Sequence, residues 1–483
     1  MNKPIRRLAL FSLALFGVLL LNVTWIQAVQ AQWLQDHEFN RRGAAEQFRV
    51  PRGPILVANE QIAYSELIEG STQYQRFYPA GDLYSHPVGV FNPFGPYGVE
   101  RAENSFLDGS DNRLLVRNFL DTLTGSEQKG ATVALTLNPD AQQAGLEAIK
   151  NNSPSGKGAA VALDPSTGAI LAAVSIPNYD PAAVSDMSDT TKSVETWDSL
   201  NSNENKPLLN RAFNELYPPG STFKVVTAAA ALENGETIDS TIDAPETLEM
   251  PNGGPALPNA FGSACNGGAP DSIAHSLERS CNTSMANWAL KLGGTAMTEQ
   301  AQAFGFDSGL PGVPVPVEDS HYPPPTDDND LARSGIGQGS VQATPLQMAM
   351  VAGGIANGGQ VMKPYMVSEV LGPDAAEIAS TSPEVYSQAV SSSTANQLTE
   401  AMILVTEGAE GSGTGGQIPG IQVAGKTGTA EVSGAQTHNW FISFAPADDP
   451  QVAVAVVIEN GGGSGGTLAA PVAKAIMEAV INE

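Results

Sequence analysis

Cysteine and histidine are scarce in this sequence. Cys265 and Cys281 are the only two cysteines among 483 residues, and the five histidines are scattered. That inventory lacks the clustered ligands of a zinc or related site, so no metal and no cofactor is expected. Positive charge is scarce too: 24 Lys and Arg stand against 51 Asp and Glu, a formal charge of −27. A polyanion would be repelled, which excludes nucleic acid as a partner. Glycine (49) and proline (34) together fall short of the roughly 25–30% that marks a low-complexity chain. No fixed-period repeat is visible. What is present is an apolar fraction of 42%, enough for a large core, and a length that suggests two to three domains at about 150 residues each.

The charge is unevenly distributed. Residues 1–30 hold Lys3, Arg6 and Arg7 and no acid. Residues 31–150 hold 10 bases and 15 acids, and residues 151–483 hold 11 bases and 36 acids. From Leu8 the chain is apolar to about Val29, long enough to span a bilayer as a helix. Lys3, Arg6 and Arg7 would stay cytoplasmic and Trp25 would sit at the far interface. The competing reading is a cleaved signal peptide with its site at Val29-Gln30-Ala31. Either way the rest of the chain is exported. Export permits a disulfide between Cys265 and Cys281, and the Gly-, Ala- and Pro-rich segment between them can bend to close it. Such a loop contributes about 3 kcal/mol on the chain-entropy estimate. Two separate buried thiols are the alternative.

Along the chain, residues 31–150 are mixed, with a turn-rich stretch at HPVGVFNPFGPYG (86–98). Ala131–Leu137 reads as a strand, and Asp140 then caps a helix with apolar positions at Ala144, Leu146, Ala148 and Ile149. KNNSPSGKG (150–158) has linker composition. Two apolar runs flanking Asp164-Pro165-Ser166-Thr167-Gly168 predict a hairpin. Ser221–Asn234 is apolar nearly all round, which predicts a buried helix. The C-terminal region predicts strands at Val423–Val432, Asn439–Ala445 and Val452–Glu459, then a helix over Ala469–Ile481.

Three short motifs carry chemistry. A serine three residues before a lysine on a helix places both side chains on one face. Burial can lower the lysine pKa until the neutral amine accepts the hydroxyl proton. The pattern occurs twice. Ser126–Lys129 lies in a polar stretch, whereas Ser221–Lys224 opens the apolar helix. Ser-X-Asn occurs at Ser110, Ser199 and Ser280, and only Ser280-Cys281-Asn282 leads into a helical run. Taken alone, Ser280 would be an N-cap. Lys426-Thr427-Gly428, followed by Thr429, offers a cation, two hydroxyls and a glycine that admits a close backbone, a combination suited to a carboxylate. Two decoys compete. Gly420–Thr427 satisfies the phosphate-loop pattern, but its interior looks like strand and no helical pattern follows. Gly411–Gly416 matches G-x-G-x-x-G and reads as a flexible loop.

Individually these motifs are weak. In this order, in one exported domain, they are the set of the penicillin-recognising serine enzymes. The chain resembles a class B penicillin-binding protein, a peptidoglycan D,D-transpeptidase. The similarity continues in Arg52-Gly53 with Ile55, AVALDPSTGAILA (160–172), NRAFNELYPPGSTFK (210–224), GIGQGSVQATPLQMA (335–349), IANGG (355–359), AGKTGTAE (424–431) and WFISFAP (440–446). Compactness and an end at Glu483 without repeat modules make it most similar to the actinobacterial penicillin-binding protein A group.

The resemblance implies an α+β fold: an antiparallel sheet flanked by helices on both faces, on a smaller N-terminal pedestal with one transmembrane anchor. The expected division is a cytoplasmic tail (1–7), the anchor (8–29), the pedestal (31–150) and the transpeptidase domain (151–483), outside the cell membrane. It also implies roles. Ser221 becomes acylated, with Lys224 the base. Ser280 relays the proton, with Lys426 nearby, and Asn282 holds the substrate amide. Thr427 and Thr429, around Gly428, bind the terminal carboxylate, and backbone N–H groups of Ser221 and Thr429 form the oxyanion hole. Expected ligands are peptidoglycan stem peptides and β-lactams. Expected partners of the pedestal are a membrane glycosyltransferase and division or elongation proteins. The same motifs serve D,D-carboxypeptidases and β-lactamases or β-lactam sensors, and a non-catalytic scaffold is a further alternative.

Overall fold

Strands covered on both faces read as unbroken apolar runs rather than alternating ones, and the main sheet of this protein is built from such runs. The computed structural model describes residues 3–28, 30, 47–114, 129–310 and 312–482. Ser126, Val29 and Ala31 lie outside the described residues. Five antiparallel strands stand in the order Ala424–Ala430, His438–Ala445, Val452–Ile458, Gly158–Leu163 and Ile170–Ile176. The hairpin at 164–168 forms as predicted, with Asp164 accepting from Ser166 N at 2.8 Å. The three C-terminal strands and their helix also match, within a residue or two. Every residue of Val452–Ile458 is buried. Each such Val or Ile contributes about 1.5–3 kcal/mol by leaving water.

One face of this sheet packs on the helix Pro345–Ala356. The other packs on Pro139–Asn152 and Ala470–Ile481. Helix Pro139–Asn152 is capped by Asn138, whose side chain accepts from Ala141 N, rather than by Asp140, which sits in the first turn. Pro139 at the first helical position makes this register favourable. The buried stripe is Ala141, Gln142, Gly145, Leu146 and Ile149, with Ala144 and Ala148 on its margins.

The pedestal sheet has six strands, in the order Glu377–Ser380, Val367–Leu371, Thr132–Leu135, Ile55–Val57, Glu60–Leu67 and Tyr74–Phe77. The division at residue 150 therefore does not follow the packing. A hairpin from residues 367–380 completes the pedestal sheet, and Pro139–Asn152 belongs to the core under the C-terminal helix. Linker composition at 150–158 marks a break in the chain, whereas buried area decides which body an element joins.

Beneath the pedestal sheet lies a buried ionic cluster. Arg52 Nε and Arg76 Nε donate to Glu100 at 3.0 and 2.7 Å, Tyr78 Oη donates at 3.2 Å, and Glu100 is fully buried. The N-terminal helix Lys3–Ala28 has 26 residues, about 39 Å at 1.5 Å per residue. Its Lys3–Ile26 stretch is apolar enough to cross a membrane, with mean hydropathy 2.1.

Candidate active site

The site forms where the edge strand Ala424–Ala430 meets the start of the helix Lys224–Glu233. That helix is preceded by a 3-10 turn, Gly220–Phe223, which carries Ser221. Every residue from Lys224 to Leu232 is buried, as its all-apolar pattern predicts. The turn is held from two sides: Trp440 Nε1 donates to Pro218 O at 3.0 Å, and Gly220 N donates to Gly337 O at 2.9 Å. Gly220 has φ +52°, and a Cβ there would lie 3.1 Å from Thr429 O. The Ser221 turn and the edge strand can approach this closely because that Cβ is missing. Gly428 plays the same part from the strand side, where a Cβ would meet Thr222 and Trp440 side chains at 2.9 Å.

Ser280 occupies the turn between the helices Ile273–Glu278 and Asn282–Ala303, the latter broken at Gly293. It is not the N-cap; Cys281 is. Ser280 sits one residue earlier with φ +63°, a left-handed conformation that costs an L-residue about 1–2 kcal/mol. In that conformation both its carbonyl and its hydroxyl reach Lys224, whose Nζ donates to Ser280 O at 2.7 Å, Ser280 Oγ at 3.3 Å and Asn282 Oδ1 at 2.7 Å. Ser221 lies three residues earlier, in the 3-10 turn, and is not among these partners. Lys426 Nζ comes from the opposite side and donates to Ser280 Oγ at 2.9 Å and Thr427 O at 3.0 Å.

Both lysines are fully buried. Burial lowers Lys426 to about 7, and burial together with the Lys426 charge lowers Lys224 well below the ordinary lysine value. Burial thus biases both amines toward their neutral forms. Thr427 is buried and Thr429 exposed, so the strand edge offers one recessed hydroxyl and one outer one.

The site residues expected from sequence are therefore brought together from three distant segments. Cys265 and Cys281 are joined as a disulfide, which ties the Ser280 turn to the loop before it. Two further residues at the site have no sequence signal. Asn259 is buried in a loop, and its Oδ1 accepts from Asn282 N at 2.9 Å and Thr283 N at 3.1 Å, capping the helix that carries Asn282. Ser412 pairs its hydroxyl with that of Thr427 at 2.7 Å. The phosphate-loop reading of Gly420–Thr427 fails: Lys426 and Thr427 are in the strand Ala424–Ala430, which continues as strand, and the lysine points into the Ser280 pocket.

The family model of the penicillin binding protein transpeptidase domain matches residues 158–478. The chain belongs to this family. A second model, the penicillin binding protein A dimerisation domain, matches residues 52–133. The chain is 39% identical over 493 residues to a peptidoglycan D,D-transpeptidase PbpA of Mycolicibacterium smegmatis, with 100% of both chains covered. It is 39% identical over 492 residues to PbpA of Mycobacterium tuberculosis, covering 100% of this chain and 99% of that one. Among solved structures, the ceftriaxone acyl-enzyme of Mycobacterium tuberculosis penicillin-binding protein A matches with TM-score 0.87 and 39% identity, covering 90% of this chain and 99% of that one. Its penicillin G acyl-enzyme matches with TM-score 0.85 and 39% identity, covering 89% and 100%. This family member therefore has the two-part plan that its motifs and its two sheets describe.

Proposed function

We propose that this chain is a peptidoglycan D,D-transpeptidase with Ser221 as its nucleophile. The observation that supports this reading is the approach of Lys224 and Lys426 Nζ to Ser280 Oγ, at 3.3 and 2.9 Å, beside the Ser221 turn and the Thr427–Thr429 strand edge. Ser221 Oγ attacks the carbonyl between the two D-alanines of a stem peptide. Its proton passes to the neutral Lys224 amine, and the tetrahedral oxyanion is met by the N–H groups of Ser221 and Thr429. The C–N bond then breaks, and the departing D-Ala takes its proton through Ser280, poised between the two lysines. Asn282 holds the stem-peptide amide. Lys426, Thr427 and Thr429 take the terminal carboxylate, a local exception in an acidic domain. The amine of a neighbouring stem peptide attacks the acyl-enzyme, forms the cross-link and returns the proton to Ser221. In a β-lactam the leaving nitrogen stays tethered to the acyl group, so the ester persists and inhibits the enzyme. The N-terminal helix is read as a single-pass anchor with Lys3, Arg6 and Arg7 inside and the transpeptidase domain outside. The pedestal is read as the contact for membrane glycosyltransferase and division or elongation proteins.

Labelling with a fluorescent penicillin tests the central claim. Persistent label on the wild-type chain and none on Ser221→Ala is expected. Label retained by Ser221→Ala overturns the nucleophile. Rapid turnover of the label indicates a β-lactamase, and release of D-Ala without cross-linked product in the presence of an acceptor peptide indicates a carboxypeptidase.

A further inference from the structure

The Gly411–Gly416 segment, read from sequence as a flexible loop, is built into the site. Gly413 N donates to Val405 O at 2.8 Å, and Thr414–Gly416 forms a 3-10 turn. Ser412 N and Oγ both donate to Glu278 O, at 3.3 and 3.2 Å. Glu410 N donates to the Glu278 carboxylate at 2.9 Å, while the Glu410 carboxylate meets His275 Nε2 at 2.8 Å and Arg279 Nε at 3.4 Å. The loop is therefore clamped to the same short stretch, 275–279, that leads into Ser280. At its tip Ser412 Oγ lies 2.7 Å from Thr427 Oγ1.

A hydroxyl has one proton and two lone pairs. While Ser412 gives its proton to Glu278 O, Thr427 must give its own to Ser412, and it then offers an incoming ligand no donor. A carboxylate that accepts from Thr427 requires Ser412 to swing its proton from Glu278 O onto Thr427 Oγ1. The two hydroxyls then point in series toward the anion, and each polarises the next. Without Ser412, the recessed Thr427 hydroxyl has no fixed partner to orient it. We propose that Ser412 is a positioning residue that sets the direction of the Thr427 proton and so the site's preference for a donor ending in a free carboxylate. This rests on the reading of Thr427 as a carboxylate ligand given above.

The test compares second-order acylation of Ser221 by benzylpenicillin and by its methyl ester, in the full chain. The wild type is expected to prefer the free acid. Ser412→Ala is expected to lower the acid-to-ester ratio about tenfold, the size of one hydrogen bond. Ser412→Thr is expected to restore the ratio. In a Thr427→Ala background, removing Ser412 should change the ratio no further. An unchanged ratio in Ser412→Ala, or an equal loss toward both compounds, overturns the inference. So does a further loss of ratio in the Thr427→Ala background. If Ser412→Ala does not fold, Ser412→Cys, close in volume but a much weaker donor, decides by the same ratio. Failure of the wider reading looks different: a wild type acylated by neither compound rejects the transpeptidase, and one acylated equally by both rejects Thr427 as the carboxylate ligand.

Discussion

Lys224 and Lys426 converge on one atom, Ser280 Oγ, at 3.3 and 2.9 Å. Two full ammonium charges around a single hydroxyl repel one another, and burial of the two lysines disfavours each charge. The pocket resolves this by lowering both lysines.

The first prediction is a pH profile. A lysine lowered to about 7 is neutral above that pH and protonated below it. Lys224, the base, is lowered well below 10.5 by burial and by the Lys426 charge, so acylation of Ser221 should reach its plateau well below the ordinary lysine range and slow as pH falls through the lowered Lys224 titration. Lys426→Ala should slow acylation and shift the Lys224 titration upward, because the charge opposing its protonation is gone. Stopped-flow acylation across pH measures both. An inflection near the ordinary lysine value of 10.5 would exclude this assignment.

Asn259→Ala should leave the N–H groups of Asn282 and Thr283 without their acceptor. Losing a buried partner of this kind costs about 1–3 kcal/mol. A lower melting temperature is expected, with slower acylation because Asn282 is less firmly held. Unchanged values in both measurements would remove Asn259 from the site's support.

Glu100→Gln should leave Arg52 and Arg76 buried without their countercharge. Breaking a buried ion pair costs about 3–5 kcal/mol, so denaturant unfolding should show a destabilised pedestal. Burial alone would raise the Glu100 pKa, but Arg76 and Arg52 outweigh it and leave the carboxyl below its ordinary 4.5. The sign follows: the contribution is complete above about pH 4.5 and is lost as pH falls through the lowered native value.

Replacing Cys265 and Cys281 together by alanine should remove about 3 kcal/mol of stability. It should also slow acylation, because the bond anchors the residue after Ser280. Intact acylation kinetics in the double variant would confine the disulfide to a structural role.

Much of the site was legible because its residues lie in local motifs. Ser221–Lys224, Ser280-Cys281-Asn282 and Lys426–Thr429 are each readable within a few positions, and the helix and strands that bear them carry clear apolar patterns. Asn259 and Ser412 carry no such mark. Asn259 lies in a loop with no periodicity, and Ser412 lies inside a glycine-rich match that resembles a linker. Both act through partners far along the chain, Asn259 on Asn282 and Ser412 on Thr427.

By itself the sequence determined the apolar N-terminal helix, the hairpin around 164–168, the buried helix that starts at Lys224 and the family. All of these are written in short-range pattern and residue type. The tertiary structure decided which elements share a body: residues 367–380 close the pedestal sheet, and helix Pro139–Asn152 leaves the pedestal for the core beneath the C-terminal helix. It also decided that two lysines lose their water, that Ser280 adopts a left-handed turn between them, and that Ser412 meets Thr427. Desolvation and hydrogen-bond pairing depend on which distant segments exclude solvent from the same few ångströms, and no local stretch of sequence contains that information.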